Sequence, residues 1–419
     1  MAIAALNAMA DLNPLVRSPF TRSAKRDGPL AGVPVVVKAN IAIEGLPHCG
    51  ASPALVDNIA SRSAPAVERL LEAGAVIVGQ SNMHELAFGI TSHNLHHGPV
   101  GNPANPAHMA GGSSGGTAAA VAGGAVPMGL ASDTGGSGRL PAAMCGCVGF
   151  RPTYGRYPGQ GVLTLSTSFD TITPMARDVA GIAQLDAVLA GSALKPLAEK
   201  KNMRLGVVDD ALLQGVDAQM QQACRAKLDG LAERGVELVP LSSADLLEQC
   251  GDIALGIVLY ETKHFWTRFL SARHQDLADF PARIASPDVA GIFQMIVDEA
   301  APSDAEYADM VGPKREAIRD TVSALLDGLD GLVMPTLPTT APKIGDTDTC
   351  QINGEAVDLF TAMTRRAAVA SITGNPSISV PAGRLNGLPI GLEVIGRHGG
   401  DLDLLGVATR LEELLEAST

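Results

Sequence analysis

The chain has 419 residues, of which 46% are hydrophobic and 18% charged, a composition typical of a globular protein and not of a disordered one. Its formal net charge of −13 argues against a nucleic-acid-binding surface, which requires clustered Lys and Arg. No run of about 18 consecutive apolar residues is present, the opening is not typical of a signal peptide, and the six cysteines are scattered. We therefore expect a cytoplasmic protein with reduced thiols and without membrane or nucleic-acid partners.

Helical and strand patterns alternate along the chain. Val35, Val36 and Val37 form a short β-branched run that predicts a buried strand ending at Lys38. Residues 64–83 and 217–241 each predict a helix that ends at a glycine and is followed by a strand. Further short strands are predicted at 331–336 and 376–383. This alternation favours an α/β fold with a substantially parallel sheet.

The stretch 190–330 differs from the rest of the chain because it is rich in helical patterns and poor in glycine. We expect it to cover the sheet or to form a cap or lobe over the functional site.

Residues 111–116, the first glycine cluster, read GGSSGG and contain the pattern G-x-S-x-G. In an α/β-hydrolase that pattern follows a strand directly, but Pro99, Pro103 and Pro106 exclude a central strand before this cluster. A phosphate-binding loop is excluded as well, because no Gly-Lys-Ser/Thr follows. The sequence instead predicts a loop that leads into a helix N-terminus.

Residues 133–137, the second glycine cluster, read DTGGS and expose consecutive backbone N–H groups. Such groups can form an oxyanion hole, and a serine beside them can attack a carbonyl if a base removes its proton. His93, His96 and His97 indicate a polar loop and not a metal site, and the pair His84-Glu85 lacks the second histidine of H-E-x-x-H.

Lys38 is the better candidate for the base. A lysine at the end of a hydrophobic strand can be desolvated, which lowers its pKa. The residues alone equally allow a lysine that merely reaches solvent from a strand end.

Four segments of the chain in order, `GVPVVVKAN`, `GGSSGGTAAAVAGG`, `ASDTGGSGRLPAAMCGCVGFRPTYGR` and `ITGNPSISVPAG`, together resemble the amidase signature family. The resemblance implies one α/β/α domain over 1–419 with a mixed, largely parallel central sheet, and it implies a Ser–cis-Ser–Lys triad. Ser137 becomes the nucleophile, Lys38 the general base, and Ser113 the bridging serine after a cis peptide bond from Gly112.

The resemblance assigns the surrounding residues as well. Ser114 becomes a supporting residue, and the N–H groups of Thr134, Gly135, Gly136 and Ser137 hold the oxyanion. We interpret Asp133 and Arg139 as an ion pair that fixes the glycine loop, with direct contact between Arg139 and substrate as the alternative. Gly138 departs from the Ile or Val that usually follows the nucleophile. No metal and no organic cofactor is implied.

The resemblance is strongest to the indoleacetamide and mandelamide hydrolase branch, which implies a small primary amide as substrate and allows a homodimer. Two alternatives stay open at this point. One is the glutaminase component of a tRNA-dependent amidotransferase, and the other is a non-catalytic binding protein on the same fold. Arg365 and Arg366 either bind an acidic substrate or form an exposed, solvated pair, and we favour the exposed pair.

Overall fold

The computed structural model describes residues 1–24, 27–209, 213–243 and 245–417. Strands in these residues are β1 (Pro34–Lys38), β2 (Val76–Ser81), β3 (His93–Asn94), β4 (Gly98–Pro99), β5 (Gly101–Asn102), β6 (Asn105–Met109), β7 (Met128–Asp133), β8 (Val148–Arg151), β9 (Thr171–Ala176), β10 (Arg204–Val208), β11 (Glu237–Leu241), β12 (Gly331–Pro335), β13 (Thr349–Ile352), β14 (Glu355–Asp358), β15 (Ser377–Leu385) and β16 (Leu388–Ile395). Helices in these residues include α1 (Ala2–Ala8), α2 (Pro65–Glu72), α3 (Gly115–Ala122), α4 (Arg139–Cys145), α5 (Val179–Ala190), α6 (Ala218–Glu233), α7 (Leu246–Ser271), α8 (Pro287–Val297), α9 (Asp304–Asp309), α10 (Arg315–Leu325), α11 (Leu359–Thr373) and α12 (Asp401–Glu416). The predicted strands and helix–strand units are confirmed.

Ten of the described strands form one mixed sheet in the order β11-β10-β12-β16-β15-β8-β9-β7-β1-β2. The mixed sheet is confirmed, but its parallel pairings are limited to the two ends, β11-β10-β12 and β7-β1-β2. The strands between these ends pair antiparallel. One cause is visible in the chain: Asn386 and Gly387 have φ of 53° and 82° and close a tight hairpin between β15 and β16.

Helices cover both faces of the sheet, so the α/β/α layering is confirmed. Val35 and Val37 of β1 pack in a core with residues of α2, α5, α6 and α12. Val36 points to the opposite face and packs with residues of α1, α3 and α4. This split follows from strand geometry, in which successive side chains alternate between the two faces.

The stretch 190–330 contributes to two parts of the molecule. Its strands β10 and β11 form one end of the central sheet. Its helices α7 and α8 supply Trp266, Leu270 and Phe293, which pack against residues of 49–55 and 83–88 beside the first strands of the sheet. None of the helices in the described residues is both long and apolar enough to cross a bilayer.

Candidate active site

Lys38 lies at the carboxyl end of β1 and is completely buried. Its Nζ donates hydrogen bonds to Ser113 Oγ at 2.8 Å and to Ser132 Oγ at 2.9 Å. Burial lowers the pKa of Lys38 from 10.5 to about 7, against the opposing charges of Asp133 and Asp170, which raise it. A substantial fraction of the amine is therefore neutral near pH 7 and able to accept a proton.

Ser113 belongs to the first glycine cluster, just before α3, and the Gly112–Ser113 peptide bond is cis. The residue is fully buried. Its carbonyl accepts a hydrogen bond from the backbone N–H of His84 at 3.0 Å and one from Ser92 Oγ at 3.4 Å. These contacts hold the backbone of Ser113 in the position from which its hydroxyl contacts the Lys38 amine.

Ser137 ends the second glycine cluster, one residue before the N-cap of α4. Its carbonyl accepts a hydrogen bond from the N–H of Ser114 at 3.3 Å, so the two glycine clusters touch. Ser114 is buried, and its hydroxyl donates to the carbonyl of Ser132 at 3.2 Å. The structure thus brings the loops of Ser113 and Ser137 together beside Lys38.

The backbone N–H groups of the second glycine cluster require one correction to the prediction that all four of residues 134–137 hold the oxyanion. The N–H of Gly136 donates to Asp133 Oδ1 at 2.9 Å and is therefore already engaged. The N–H groups of Thr134, Gly135 and Ser137 donate to no acceptor within the described residues. Gly136 itself has φ of 110°, a conformation that favours glycine and turns the chain toward Ser137.

Asp133 organises this loop through a buried network of charges. Arg139 Nε donates to Asp133 Oδ2 at 3.0 Å, so the predicted ion pair is confirmed. Burial alone would raise the pKa of Asp133, but the charges of Arg139 and Arg151 hold it well below its ordinary value. Arg139 is fully buried and its Nη1 also binds Glu393 Oε1 at 2.5 Å. It therefore presents no surface to a substrate, and the alternative of a direct contact is wrong.

Sequence reasoning missed Arg151 and Glu393, the other members of this network. Arg151 ends β8 and its Nη1 donates to the Asp133 carbonyl at 2.7 Å and to Asp133 Oδ1 at 3.1 Å. Glu393 lies in β16, far from Asp133 in sequence. The one available signal was a single charged residue in each of two otherwise uncharged strand patterns.

Three polar residues near Lys38 and Thr134 were missed as well. Ser132 Oγ accepts the second hydrogen bond of Lys38 and also one from Asn40 Nδ2 at 3.0 Å. Asp170 accepts a hydrogen bond from Thr134 Oγ1 at 2.6 Å. Burial raises the pKa of Asp170 to about 6. Ser132 and Asn40 both stand in segments that carry the family resemblance, but their partners depend on the folded geometry.

Residues away from the site give one further correction. Arg366 is fully buried on the inner side of α11, so the prediction of an exposed Arg365–Arg366 pair is wrong for this residue. Its guanidinium donates to the carbonyls of Gln214 at 3.4 Å and Ala362 at 3.2 Å. Its position three residues after the buried Met363, on the same helical face, explains the burial.

The histidine loop 93–97 is held by its own polar groups. Asn94 Oδ1 accepts the N–H groups of His96 and His97, each at 2.9 Å. Within the described residues, no group of three or more His, Cys, Asp and Glu side chains is placed to hold a metal ion.

The chain resembles known proteins over most of its length. A family model described as Amidase matches residues 16–405. The mandelamide hydrolase of Pseudomonas putida is 35% identical over 407 residues, which cover 92% of this chain and 79% of the relative. The indoleacetamide hydrolase of Agrobacterium vitis is 37% identical over 396 residues, with 92% of this chain and 84% of the relative covered.

Two further similarities extend this comparison. A glutamyl-tRNA(Gln) amidotransferase subunit from Methanospirillum hungatei is 32% identical over 417 residues, covering 92% of this chain and 94% of the relative. A solved structure described as an amidase superimposes with a TM-score of 0.88 at 31% identity, covering 100% of this chain and 94% of that chain. The sequence match and the shared fold show that the chain belongs to the amidase family, whose members act on the C–N bonds of amides.

Proposed function

We propose that the protein hydrolyses a small primary amide to a carboxylic acid and ammonia through an acyl-enzyme on Ser137. The observation that carries the proposal is the contact between Lys38 Nζ and Ser113 Oγ at 2.8 Å, inside a buried site that also contains the Ser137 loop. The lowered pKa of Lys38 supports its assignment as the base.

The proposed first step forms a bond between Ser137 Oγ and the carbonyl carbon of the amide. The proton of Ser137 passes to the Ser113 hydroxyl while the Ser113 proton passes to Lys38, because a hydroxyl can donate and accept at the same time. The carbonyl oxygen becomes an oxyanion. We assign its stabilisation to the N–H groups of Thr134, Gly135 and Ser137, which have no acceptor within the described residues.

The second step breaks the C–N bond. The proton held by Lys38 returns through Ser113 to the leaving nitrogen, which departs as ammonia. Water then attacks the acyl-enzyme, giving up a proton by the same route, and the departing Ser137 oxygen takes that proton back. Each half-reaction consumes the proton that it releases, on the leaving nitrogen in the first and on Ser137 in the second, so the cycle needs no reactant besides the amide and water.

We propose an arylacetamide as substrate, a small amide with an aromatic ring one carbon from the carboxamide. This class is supported by the names of the two hydrolases reported above, mandelamide hydrolase and indoleacetamide hydrolase. A glutaminase role is the second candidate, favoured by the similarity to the amidotransferase from Methanospirillum hungatei.

The helices of 190–330 are proposed to cap this site. Glu85, which follows β2, accepts the N–H groups of Ser286 at 2.7 Å and Ala285 at 3.1 Å, just before α8. The ring of His84 binds Asp288 in the first turn of α8 at 2.9 Å. Since the backbone of His84 also holds Ser113, these contacts support a cap anchored at the catalytic backbone.

The experiment is ammonia release from mandelamide, indole-3-acetamide, phenylacetamide, hexanamide and glutamine, with mass spectrometry of the protein under turnover. We expect arylacetamides to be the best substrates and an acyl adduct at Ser137. Ser137→Ala should abolish turnover, whereas Ser192→Ala, in a loop outside the site, should leave it unchanged. An active Ser137→Ala variant, or an adduct at Ser114, would refute the assignment of the nucleophile. Glutamine as the best substrate would favour the second candidate.

A further inference from the structure

Glu261 is a nearly fully buried carboxylate on α7 that contacts the loop 165–170 and Tyr307 of α9. Its oxygens accept the hydroxyls of Ser166 and Ser168, the N–H of Ser168 at 3.0 Å, and the hydroxyl of Tyr307 at 2.6 Å. Four donors on one buried carboxylate make a strong, directional attachment, because hydrogen bonds to a charged acceptor are stronger than those between neutral groups.

The same loop ends at Asp170, whose carboxylate reaches the second glycine cluster. Asp170 Oδ1 accepts Thr134 Oγ1 at 2.6 Å and the N–H of Ser166 at 3.2 Å, and Oδ2 accepts the N–H of Leu165 at 2.9 Å. Ser166 therefore binds Glu261 through its side chain and Asp170 through its backbone. A continuous hydrogen-bonded path runs from Glu261 through Ser166 and Asp170 to Thr134.

Other groups hold the loop but do not reach the glycine cluster by this path. Thr262, next to Glu261 on α7, donates to the carbonyl of Leu165 at 2.8 Å. Arg315 of α10 donates to the carbonyl of Ser168 at 3.1 Å. Helices of the stretch 190–330 therefore hold this loop in place. The carboxylate of Asp170 links the loop to Thr134 by a hydrogen bond.

We propose that Glu261 and Asp170 are positioning residues for amide hydrolysis that hold the oxyanion-binding N–H groups of Thr134, Gly135 and Ser137 in their reactive geometry. This inference rests on the proposed function, since it requires an oxyanion at that loop. Donors that stabilise a developing charge must be aligned before the reaction, and a displacement of about 1 Å can cost about 100-fold in rate. Loss of the Glu261 carboxylate would remove its hydrogen bonds to Ser166 and Ser168 and loosen the loop that carries Asp170 and, through it, Thr134.

The test compares wild-type protein with Glu261→Gln, Thr134→Val and the double variant, using phenylacetamide as substrate and benzylboronic acid as probe. The boronic acid forms a tetrahedral adduct on a nucleophilic serine and places an oxygen where the oxyanion would lie. We expect Glu261→Gln to lower kcat about 10- to 100-fold with little change in KM. The Ki of benzylboronic acid should rise by the same factor. Adding Glu261→Gln to Thr134→Val should cause no further loss, because both act through one path.

Asp186→Asn is the matched control. Asp186 is a buried carboxylate that binds Arg156 at 2.7 Å and Tyr157 at 2.6 Å, away from the path described above. It should lower stability without changing kcat of the folded protein. Ser166→Ala keeps both carboxylates and serves as the second variant if Glu261→Gln does not fold.

Three results would overturn the proposal: unchanged kcat in Glu261→Gln and Ser166→Ala, a loss of kcat without a matching rise in the Ki of benzylboronic acid, or independent effects in the double variant. A wild-type protein that benzylboronic acid does not inhibit, together with an active Ser137→Ala variant, would overturn the proposed function and this inference with it.

Discussion

The buried amine of Lys38 should make the stability of the protein depend on pH in a specific way. Its pKa is about 7 in the folded protein, compared with 10.5 as the ordinary value. At about 1.4 kcal/mol per pKa unit, the protonated amine costs the folded state about 5 kcal/mol relative to the unfolded state. Lys38→Met replaces the amine with an uncharged side chain of similar length and removes this cost.

The direction of this pH dependence follows from whether the folded or the unfolded state binds the proton of Lys38. Below pH 7 the amine is protonated in both the folded and the unfolded state, so the free-energy cost of burying its charge is fully present in the wild-type protein. Between pH 7 and 10.5 only the unfolded chain holds it, so this group makes wild-type stability rise with pH. The stability of Lys38→Met relative to wild type should therefore be greatest below pH 7 and fall by about 1.4 kcal/mol per pH unit above it. Lys38→Met also loses the hydrogen bonds to Ser113 and Ser132, which shifts its free energy of unfolding by a constant amount and leaves this slope unchanged.

Equilibrium urea unfolding between pH 6 and 9.5 measures the slope, followed by the fluorescence of Trp266, the single tryptophan of the chain. Lys343→Met is the control, because Lys343 is exposed. If the free energy of unfolding of Lys38→Met differs from that of wild type by a constant amount across this pH range, the pKa of Lys38 is not lowered. That result would also refute the role of Lys38 as base.

The remaining predictions concern rate and packing. The kcat/KM for phenylacetamide should rise with pH and level off above a midpoint near 7, because the reaction requires the neutral form of Lys38; a rate profile whose rise is centred near 10 would contradict this. Gly138→Val should impair folding and turnover, because a Cβ at this position would lie 2.3 Å from Thr173 Cγ2. Thr173→Gly in the same chain should restore both, as measured by thermal unfolding and ammonia release; a double variant no better than Gly138→Val would show that the clash is not the cause.

Local patterns were sufficient to predict the elements that carry the site. The β-branched run ending at Lys38 forms β1, and the glycine clusters form the loops that the sequence predicted. These predictions succeeded because each depends on neighbouring residues: hydrophobic runs form strands, and glycine allows tight turns. The assignment of catalytic roles needed the family resemblance in addition.

The partners of the site residues could not be predicted in the same way. Asp133 is bound by Arg139, six residues later, but also by Arg151, and Arg139 in turn by Glu393. Such contacts depend on strand order, which local periodicity does not determine. One part of that order did leave a signal: Asn386-Gly387 between two hydrophobic runs is typical of a hairpin and predicts the antiparallel pair β15-β16. Likewise, the helical spacing of Met363, Arg366 and Ala370 indicates that Arg366 faces the core.

The sheet explains why Lys38 and the loop of Ser137, the proposed base and nucleophile, lie in one site although they are distant in sequence. β1 and β7 are parallel neighbours with Val37 opposite Leu130, so Lys38 and the second glycine cluster emerge from the same edge of the sheet. Carboxyl ends of adjacent parallel strands are a common location for ligand sites in α/β proteins, because the chain leaves both strands there as loops. Strands β8 and β16 run in the same direction as β7, although each pairs with antiparallel neighbours. They contribute Arg151 and Glu393, buried charges that hold Asp133 and Arg139 in place. The mixed sheet therefore has two structural roles in the proposed site: its parallel end β7-β1-β2 positions Lys38 and the loop of Ser137, and strands of its antiparallel centre supply the charges that hold that loop in place.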